Sequence, residues 1–339
     1  MTHTPVPRVL VPNPEAIAEA AGRLRAGGLV AFPTETVYGL GGDAGNATAV
    51  RRIFAAKGRP ADHPVIVHLA DASDLADWAR DVPAGAAALA RAFWPGPLTL
   101  ILPKAAHVLG VVTGGQDSVG VRVPAHPVAR ALLAEFARLG GHGVAAPSAN
   151  RFGHVSPTTA AHVAQDLGVA ADLILDGGAC EVGIESTIIS FAGDGPMLLR
   201  PGGIGPEAIG RVLGFPLRAA DGSAPRASGT LASHYAPHTR TLLVPADALH
   251  AMLAQHETRE ERIAVLARSV REAEGFDGAW IAAPQDCAGY AHALYANLRA
   301  LEASHADVIL VESVPATPEW LAVSDRLARA TRGEDDDRD

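Results

Sequence analysis

Two spacings of apolar residues recur along this chain. Ile17, Ala20, Ala21 and Leu24 repeat at intervals of three and four behind Asn13-Pro14, an N-cap residue with a proline at the first helical position, and Gly27-Gly28 closes the run. That pattern predicts a helix with one buried face. Leu29-Val30-Ala31-Phe32 is instead a short unbroken apolar run closed by Pro33, the signature of a buried strand. Residues 34–42 then read as the loop leaving it. Over 49–57, Val50, Ile53, Phe54 and Lys57 share one helical face, with the basic residue in the last turn and Gly58 behind it, so Lys57 is placed at a helix C-terminus.

Further strands are predicted at 98–102, 119–123, 144–146, 173–175, 186–191 and 197–199, and helices at 82–93, 128–139 and 159–167. They intermingle without strict alternation, which predicts an α/β fold with a mixed twisted sheet and packed helices rather than a simple doubly wound one. Residues 213–230 are rich in Gly, Pro, Ala and Ser and read as a linker or mobile loop. Beyond them, strands at 241–244, 263–266, 279–282 and 307–311 alternate with helices at 247–255, 290–303 and 318–330, the pattern of a smaller C-terminal α/β, Rossmann-like domain with a parallel sheet. The organisation expected is a first domain over 12–212, an interdomain linker or lid loop over 213–238, a second domain over 239–332 and a disordered acidic tail over 333–339.

Composition narrows the class. At 339 residues and 48% hydrophobic content the chain can bury two ordinary cores. No apolar run of eighteen occurs and the start lacks a basic-flanked apolar segment, so a cytoplasmic protein without a membrane span is expected. Cys180 and Cys287 support neither a disulfide framework nor a cysteine-based zinc site. The net charge of -9 argues against stable direct binding to nucleic acid, although the acidic tail supplies part of it. Among 28 basic residues only Lys57 and Lys104 are lysines, so a lysine inside a glycine-flanked motif stands out.

Several segments carry groups suited to chemistry. Thr34-Glu35-Thr36-Val37-Tyr38-Gly39 puts hydroxyls and a carboxylate just past a buried strand, where α/β sheets hold ligands, and where a capped turn without a ligand would look the same. Lys57-Gly58-Arg59-Pro60 presents an ammonium and a guanidinium across a glycine, a pairing suited to a polyphosphate, or to a solvated surface turn. The following strand carries His68 back toward the same end. Ser148 and Asn150 offer a hydroxyl and an amide, with no Gly-x-Ser-x-Gly elbow to make the serine a nucleophile. Ser118, Gly120 and Arg122 share a strand face, where a guanidinium can clamp a small carboxylate. Neither a Walker-type phosphate loop nor a dinucleotide fingerprint occurs, and the histidines show no convincing metal spacing.

Taken in order, the motifs Pro33 to Leu40, Lys57-Gly58-Arg59-Pro60, Pro64 to His68, Phe93-Trp94-Pro95-Gly96-Pro97-Leu98-Thr99, Val121-Arg122-Val123-Pro124, Pro147-Ser148-Ala149-Asn150, Glu185-Ser186-Thr187 and Leu199-Arg200-Pro201-Gly202 resemble the YrdC-like threonylcarbamoyl-AMP synthases. The resemblance covers about residues 15–212, and His234-Tyr235-Ala236-Pro237 with the chain behind it resembles the long, two-domain members. It implies a nucleotidyltransferase that forms L-threonylcarbamoyl-AMP and pyrophosphate from L-threonine, bicarbonate and ATP, for a downstream transferase complex that modifies tRNA. By matching position it assigns Lys57, Arg59, His63, Ser118, Ser148, Asn150, Ser156, Arg200 and Tyr235 to ATP, with Lys57 and Arg59 catalytic, and Thr36, His68, Arg122, Ala146 and Ser186 to threonine. His63 stands where Asn is common. Magnesium is expected to arrive with ATP rather than on protein side chains, and no tightly bound organic cofactor is implied. Two other classes remain for comparison: a non-catalytic nucleotide or RNA-binding module, which the acidic charge disfavours, and a carbamoyl-adenylate-forming enzyme, whose relatives carry cysteine-rich zinc modules that two cysteines cannot build.

Overall fold

A computed structural model describes residues 7–193, 195–231, 234–258 and 260–332. The acidic tail expected at 333–339 lies outside the described residues. The chain divides into two compact units: the first comprises the described residues up to Phe152 with Pro157–Glu181 and Glu185–Thr230, and the second comprises Gly153–Ser156, Val182–Ile184 and the described chain from Leu231 onward.

The first unit is built on strands β1 (Val9–Leu10), β2 (Val30–Pro33), β3 (Tyr38–Asp43), β4 (Ile66–His68), β5 (Leu98–Pro103), β6 (Ser118–Arg122), β7 (Val144–Ala145), β8 (Leu173–Leu175), β9 (Thr187–Ser190), β10 (Met197–Arg200) and β11 (Arg218–Ala219). They form one sheet in the order β1-β8-β2-β3-β7-β4-β6-β5-β9-β10-β11. Its pairings mix both senses: β2 runs antiparallel to β3 and parallel to β8, while β4 runs parallel to β6 and antiparallel to β7. Side chains alternate across a strand, so Val30 and Phe32 enter one apolar cluster with helices Pro14–Arg25 and Pro127–Arg138. Leu29 and Ala31 enter the other, with helices Ala47–Lys57, Ala84–Phe93 and Ala160–Leu167. Helices therefore cover both faces of the sheet.

The segment expected as a loop over 34–42 is half strand. β3 begins at Tyr38, and its glycines conceal it because they are there for close packing. A Cβ on Gly41 would lie 2.7 Å from Phe32 and 2.8 Å from Val144, so only a bare backbone fits between these neighbours. Residues 213–230 pack within the first unit: β11 pairs with β10, and Arg226 N–H donates to Gln116 Oε1 at 2.8 Å.

The second unit carries β12 (Arg240–Val244), β13 (Ile263–Ala267), β14 (Ala279–Ala282) and β15 (Val308–Glu312) in the order β12-β15-β13-β14, all parallel. At the carboxyl ends of β13 and β15, the Glu312 carboxylate accepts the backbone N–H groups of Arg268, Ser269 and Val270 at 2.7, 2.8 and 3.0 Å. Successive N–H groups of this kind form an anion cradle, filled here by the chain's own carboxylate.

Candidate active site

Lys57 is placed by local capping. Asn46 Oδ1 accepts the Thr48 and Ala49 N–H groups at the start of helix Ala47–Lys57, and Gly58 ends it in the left-handed region at φ 66°. The turn is closed by Arg59 N–H donating to Phe54 O at 2.9 Å. The Lys57 side chain is buried, and its Nζ reaches Ser148 O and Asn150 O at 2.6 Å each and Asn150 Oδ1 at 3.3 Å. Those acceptors are held by the sheet: Leu40 N–H donates to Pro147 O, Ala149 N–H to Tyr38 O, and Ala146 N–H to Ile66 O. Three acceptors match the three N–H groups of an ammonium. Burial, then the Arg59 charge, push the amine well below its ordinary pKa.

Arg59 Nη2 donates to Pro64 O at 2.7 Å and to Ser228 Oγ at 3.3 Å, and its guanidinium lies over the Phe152 ring at 5.6 Å. His63 meets the same ring edge-on at 5.3 Å, and Phe152 N–H donates to Lys57 O. Burial and the nearby Arg59 lower the His63 pKa. Ser228 O also accepts Arg200 Nη1 at 2.8 Å, so one residue of the 213–230 segment touches both guanidinium groups. Arg200 grips Ser186 through Nε and Nη2 to its backbone oxygen and Nη2 to its Oγ, and that hydroxyl pairs with Thr99 Oγ1 at 2.7 Å.

A second cluster lies at the carboxyl ends of β4 and β6, where His68 and Arg122 are register partners. Arg122 Nε donates to Gly96 O at 3.2 Å and Nη1 to Thr36 Oγ1 at 2.9 Å, and Nη2 lies 2.6 Å from Glu35 Oε1. Burial would raise the Glu35 carboxyl, but Arg122 and the Ala125 N–H hold it below the usual range. Burial and the Arg122 charge push His68 down to about 3, so its imidazole is neutral. His68 Nδ1 is buried and has no hydrogen-bond partner among the described residues. The end of this cluster nearest β7 is Ala146, whose N–H is bound to β4.

The fold thus gathers Lys57 with Ser148 and Asn150, Arg59 with His63, Arg200 with Ser186, and Thr36 with His68, Arg122 and Ala146. Ser118 begins β6 on the face of Arg122 without joining these hydrogen bonds. Ser156 and Tyr235 belong to the second unit. There Tyr235 adopts φ 61°, stacks on Tyr295 at 5.8 Å and lies under Arg326 at 5.1 Å, while Ser156 follows Val155, whose carbonyl accepts Arg299 Nη2. Glu35, Phe152 and Ser228 are absent from the set read from the sequence. Only Glu35 carried a signal there, as a carboxylate inside an otherwise uncharged loop. Among the described residues no group of three or more His, Cys, Asp and Glu is placed to hold a metal ion.

Comparison with known proteins gives consistent matches over the chain. The Sua5/YciO/YrdC family model, described as "Telomere recombination", matches residues 23–202, and the model "Threonylcarbamoyl-AMP synthase, C-terminal domain" matches 204–331. The chain is 40% identical over 323 residues to the threonylcarbamoyl-AMP synthase of Pyrococcus abyssi, covering 92% of this chain and 93% of that protein. It is 41% identical over 335 residues to the Bacillus subtilis threonylcarbamoyl-AMP synthase, covering 95% and 94%. The crystal structure of P. abyssi Sua5 complexed with L-threonine matches with a TM-score of 0.88 at 38% identity, covering 96% of this chain and 97% of that one.

Proposed function

We propose, from the premise that this chain belongs to the threonylcarbamoyl-AMP synthase family, that it condenses L-threonine, bicarbonate and ATP into L-threonylcarbamoyl-AMP and pyrophosphate. The threonine nitrogen bonds to the bicarbonate carbon with loss of water, and the resulting carbamate oxygen attacks the α-phosphorus as pyrophosphate leaves. No protein nucleophile is needed. What is needed is fixed cations and donors that orient two small anions beside a triphosphate and spread the charge moving to the leaving group.

The observation that carries this reading is the segment 144–150. At one end Ala146 is hydrogen-bonded to β4 two residues before His68, and at the other Ser148 and Asn150 close around Lys57. One short stretch therefore borders a carboxylate-receiving cluster and a cationic one. Lys57, Arg59 and Arg200 serve the triphosphate with Ser148 and Asn150, which ATP enters as its magnesium salt. Arg122 receives the threonine carboxylate, with Thr36 and neutral His68 beside it. By matching position in the family Tyr235 and Ser156 are assigned to the nucleotide, and the adenylate passes to a transferase acting on tRNA. Among the described residues no helix is long and apolar enough to cross a membrane.

The test is to incubate the protein with magnesium ATP, bicarbonate and single amino acids, following pyrophosphate and the adenylate mass. Release that requires both L-threonine and bicarbonate establishes the activity. ATP binding without that product refutes it.

A further inference from the structure

Glu35 has no task in the chemistry above, yet it is the side chain most closely tied to the threonine-receiving cation. One carboxylate oxygen lies 2.6 Å from Arg122 Nη2, and the other accepts the Ala125 N–H at 3.0 Å. Both side chains are almost fully buried, at 4% exposure for Arg122 and 6% for Glu35. A buried ion pair is a poor device for stability, because an apolar pair of similar volume packs as well or better. Its geometric consequence is stronger. Arg122 is held by hydrogen bonds at two nitrogens, Nε to Gly96 O and Nη1 to Thr36 Oγ1, while Nη2 faces Glu35 Oε1 as an ion contact at 2.6 Å outside hydrogen-bond geometry, and contacts at all three nitrogens restrict the plane of the guanidinium.

We propose that Glu35 is a positioning residue: acting through Arg122, and without touching substrate, it sets the plane in which the threonine carboxylate is received. The inference rests on the reading of Arg122 as the carboxylate partner. Losing the Glu35 charge would leave Arg122 more attractive to an anion, but a neutral amide must turn its NH2 toward either Nη2 or the Ala125 N–H, donor against donor. Orientation loses more than charge gains, because bidentate recognition depends on the fork's plane.

Steady-state pyrophosphate release by Glu35→Gln, Glu35→Asp, Arg122→Lys and the Glu35→Gln/Arg122→Lys double variant tests this, with KM measured separately for threonine and ATP. Glu35→Gln should raise KM for threonine about tenfold and leave KM for ATP within about twofold. Glu35→Asp keeps the charge and should recover part of the loss. In the Arg122→Lys background Glu35→Gln should add less than about twofold, since the residue acts through the missing fork. Unchanged KM for threonine in Glu35→Gln, equal rises for both substrates, or multiplicative effects in the double variant would overturn the proposal. If Glu35→Gln does not fold, Glu35→Asp carries the test, and wild-type KM for threonine in it counts against the role. Wild-type KM in Arg122→Lys would overturn the Arg122 reading and this inference together, whereas an impaired Arg122→Lys beside an unaffected Glu35→Gln overturns the inference alone.

Discussion

Lys57 Nζ donates to the backbone carbonyl of Asn150 at 2.6 Å, a contact between residues 93 positions apart. The lysine ends a helix whose last carbonyls are already taken, Phe54 O by Arg59 N–H and Lys57 O by Phe152 N–H, and it turns inward to collect Ser148 O and Asn150 Oδ1 as well. It is a clasp on the 144–150 segment and, in the proposed function, also the cation that serves a phosphate. The two roles separate experimentally, because the clasp contributes to stability and the cation to turnover.

Lys57→Met should lower turnover at least about a hundredfold, the scale of losing a charge that acts on a transferring phosphoryl group. It should also cost about 1–3 kcal/mol, because buried acceptors are left without a donor. Pyrophosphate release and thermal unfolding of the same preparation check both. A variant that loses stability but keeps turnover would make Lys57 purely structural.

Phe152 supports Arg59 from below and His63 from the side, so its removal should act on the nucleotide. Phe152→Ala is expected to raise KM for ATP several-fold, in line with about 0.5–2 kcal/mol for a cation over an aromatic face, while KM for threonine stays near wild type. Equal effects on both substrates would assign the ring to general packing instead.

At Gly202 an added Cβ would lie 2.3 Å from Thr187 N and 2.5 Å from the Ser186 carbonyl carbon. Both obstacles are backbone, so the clash cannot be relieved by a side-chain rotation. Gly202→Ala should destabilise by more than about 2 kcal/mol, the scale of overpacking, and displace Ser186 from Arg200. Denaturant unfolding reads the first effect, and threonine and ATP titrations read the second. Wild-type stability would show that the strand pair can part without cost.

The neutral His68 predicts a specific acid sensitivity. Its folded-state value, about 3, lies below its ordinary 6.5, so the unfolded chain takes up the proton first. Stability from keeping this imidazole neutral is complete above pH 6.5 and is lost as pH falls from there toward 3. His68→Asn, which removes the titration, should flatten the stability profile between pH 6.5 and pH 4, measured by chemical unfolding at a series of pH values. An unaltered slope would place His68 outside the acid response.

In the second unit, Glu312→Gln exchanges the anion in the Arg268 to Val270 cradle for a neutral amide. Charge-assisted bonds to backbone N–H groups are stronger than neutral ones, so the variant should lose about 1–3 kcal/mol. Calorimetry of the full chain would show a lowered transition for that unit. A wild-type thermogram would mean that the cradle gains little from the charge.

How much of this was legible in the sequence follows the range of the forces involved. Lys57 at a helix C-terminus could be read because Asn46, the apolar spacing and Gly58 act within a few residues of one another. Strand β3 could not, because its glycines answer to Phe32 and Val144, neighbours supplied by the sheet. Glu35 was visible only as a carboxylate in a loop, and its pairing with Arg122 depends on the strand order β2-β3-β7-β4-β6, which joins the β2–β3 connection to the end of β6, rather than on anything local.

By itself the sequence determined most of the helical and strand segments, β3 excepted, together with the mixed first sheet, the parallel second one and the order of motifs that carries the family resemblance. These depend on short-range periodicity, capping and turn chemistry. Only the tertiary structure decided that Ser228 meets both Arg59 and Arg200, that Asn150 faces Lys57, that Glu35 lies against Arg122, and that residues 153–156 and 182–184 belong to the second unit. Such contacts join segments tens of residues apart, and burial makes each of them matter: a charge removed from water must find its partner wherever the packed chain brings one.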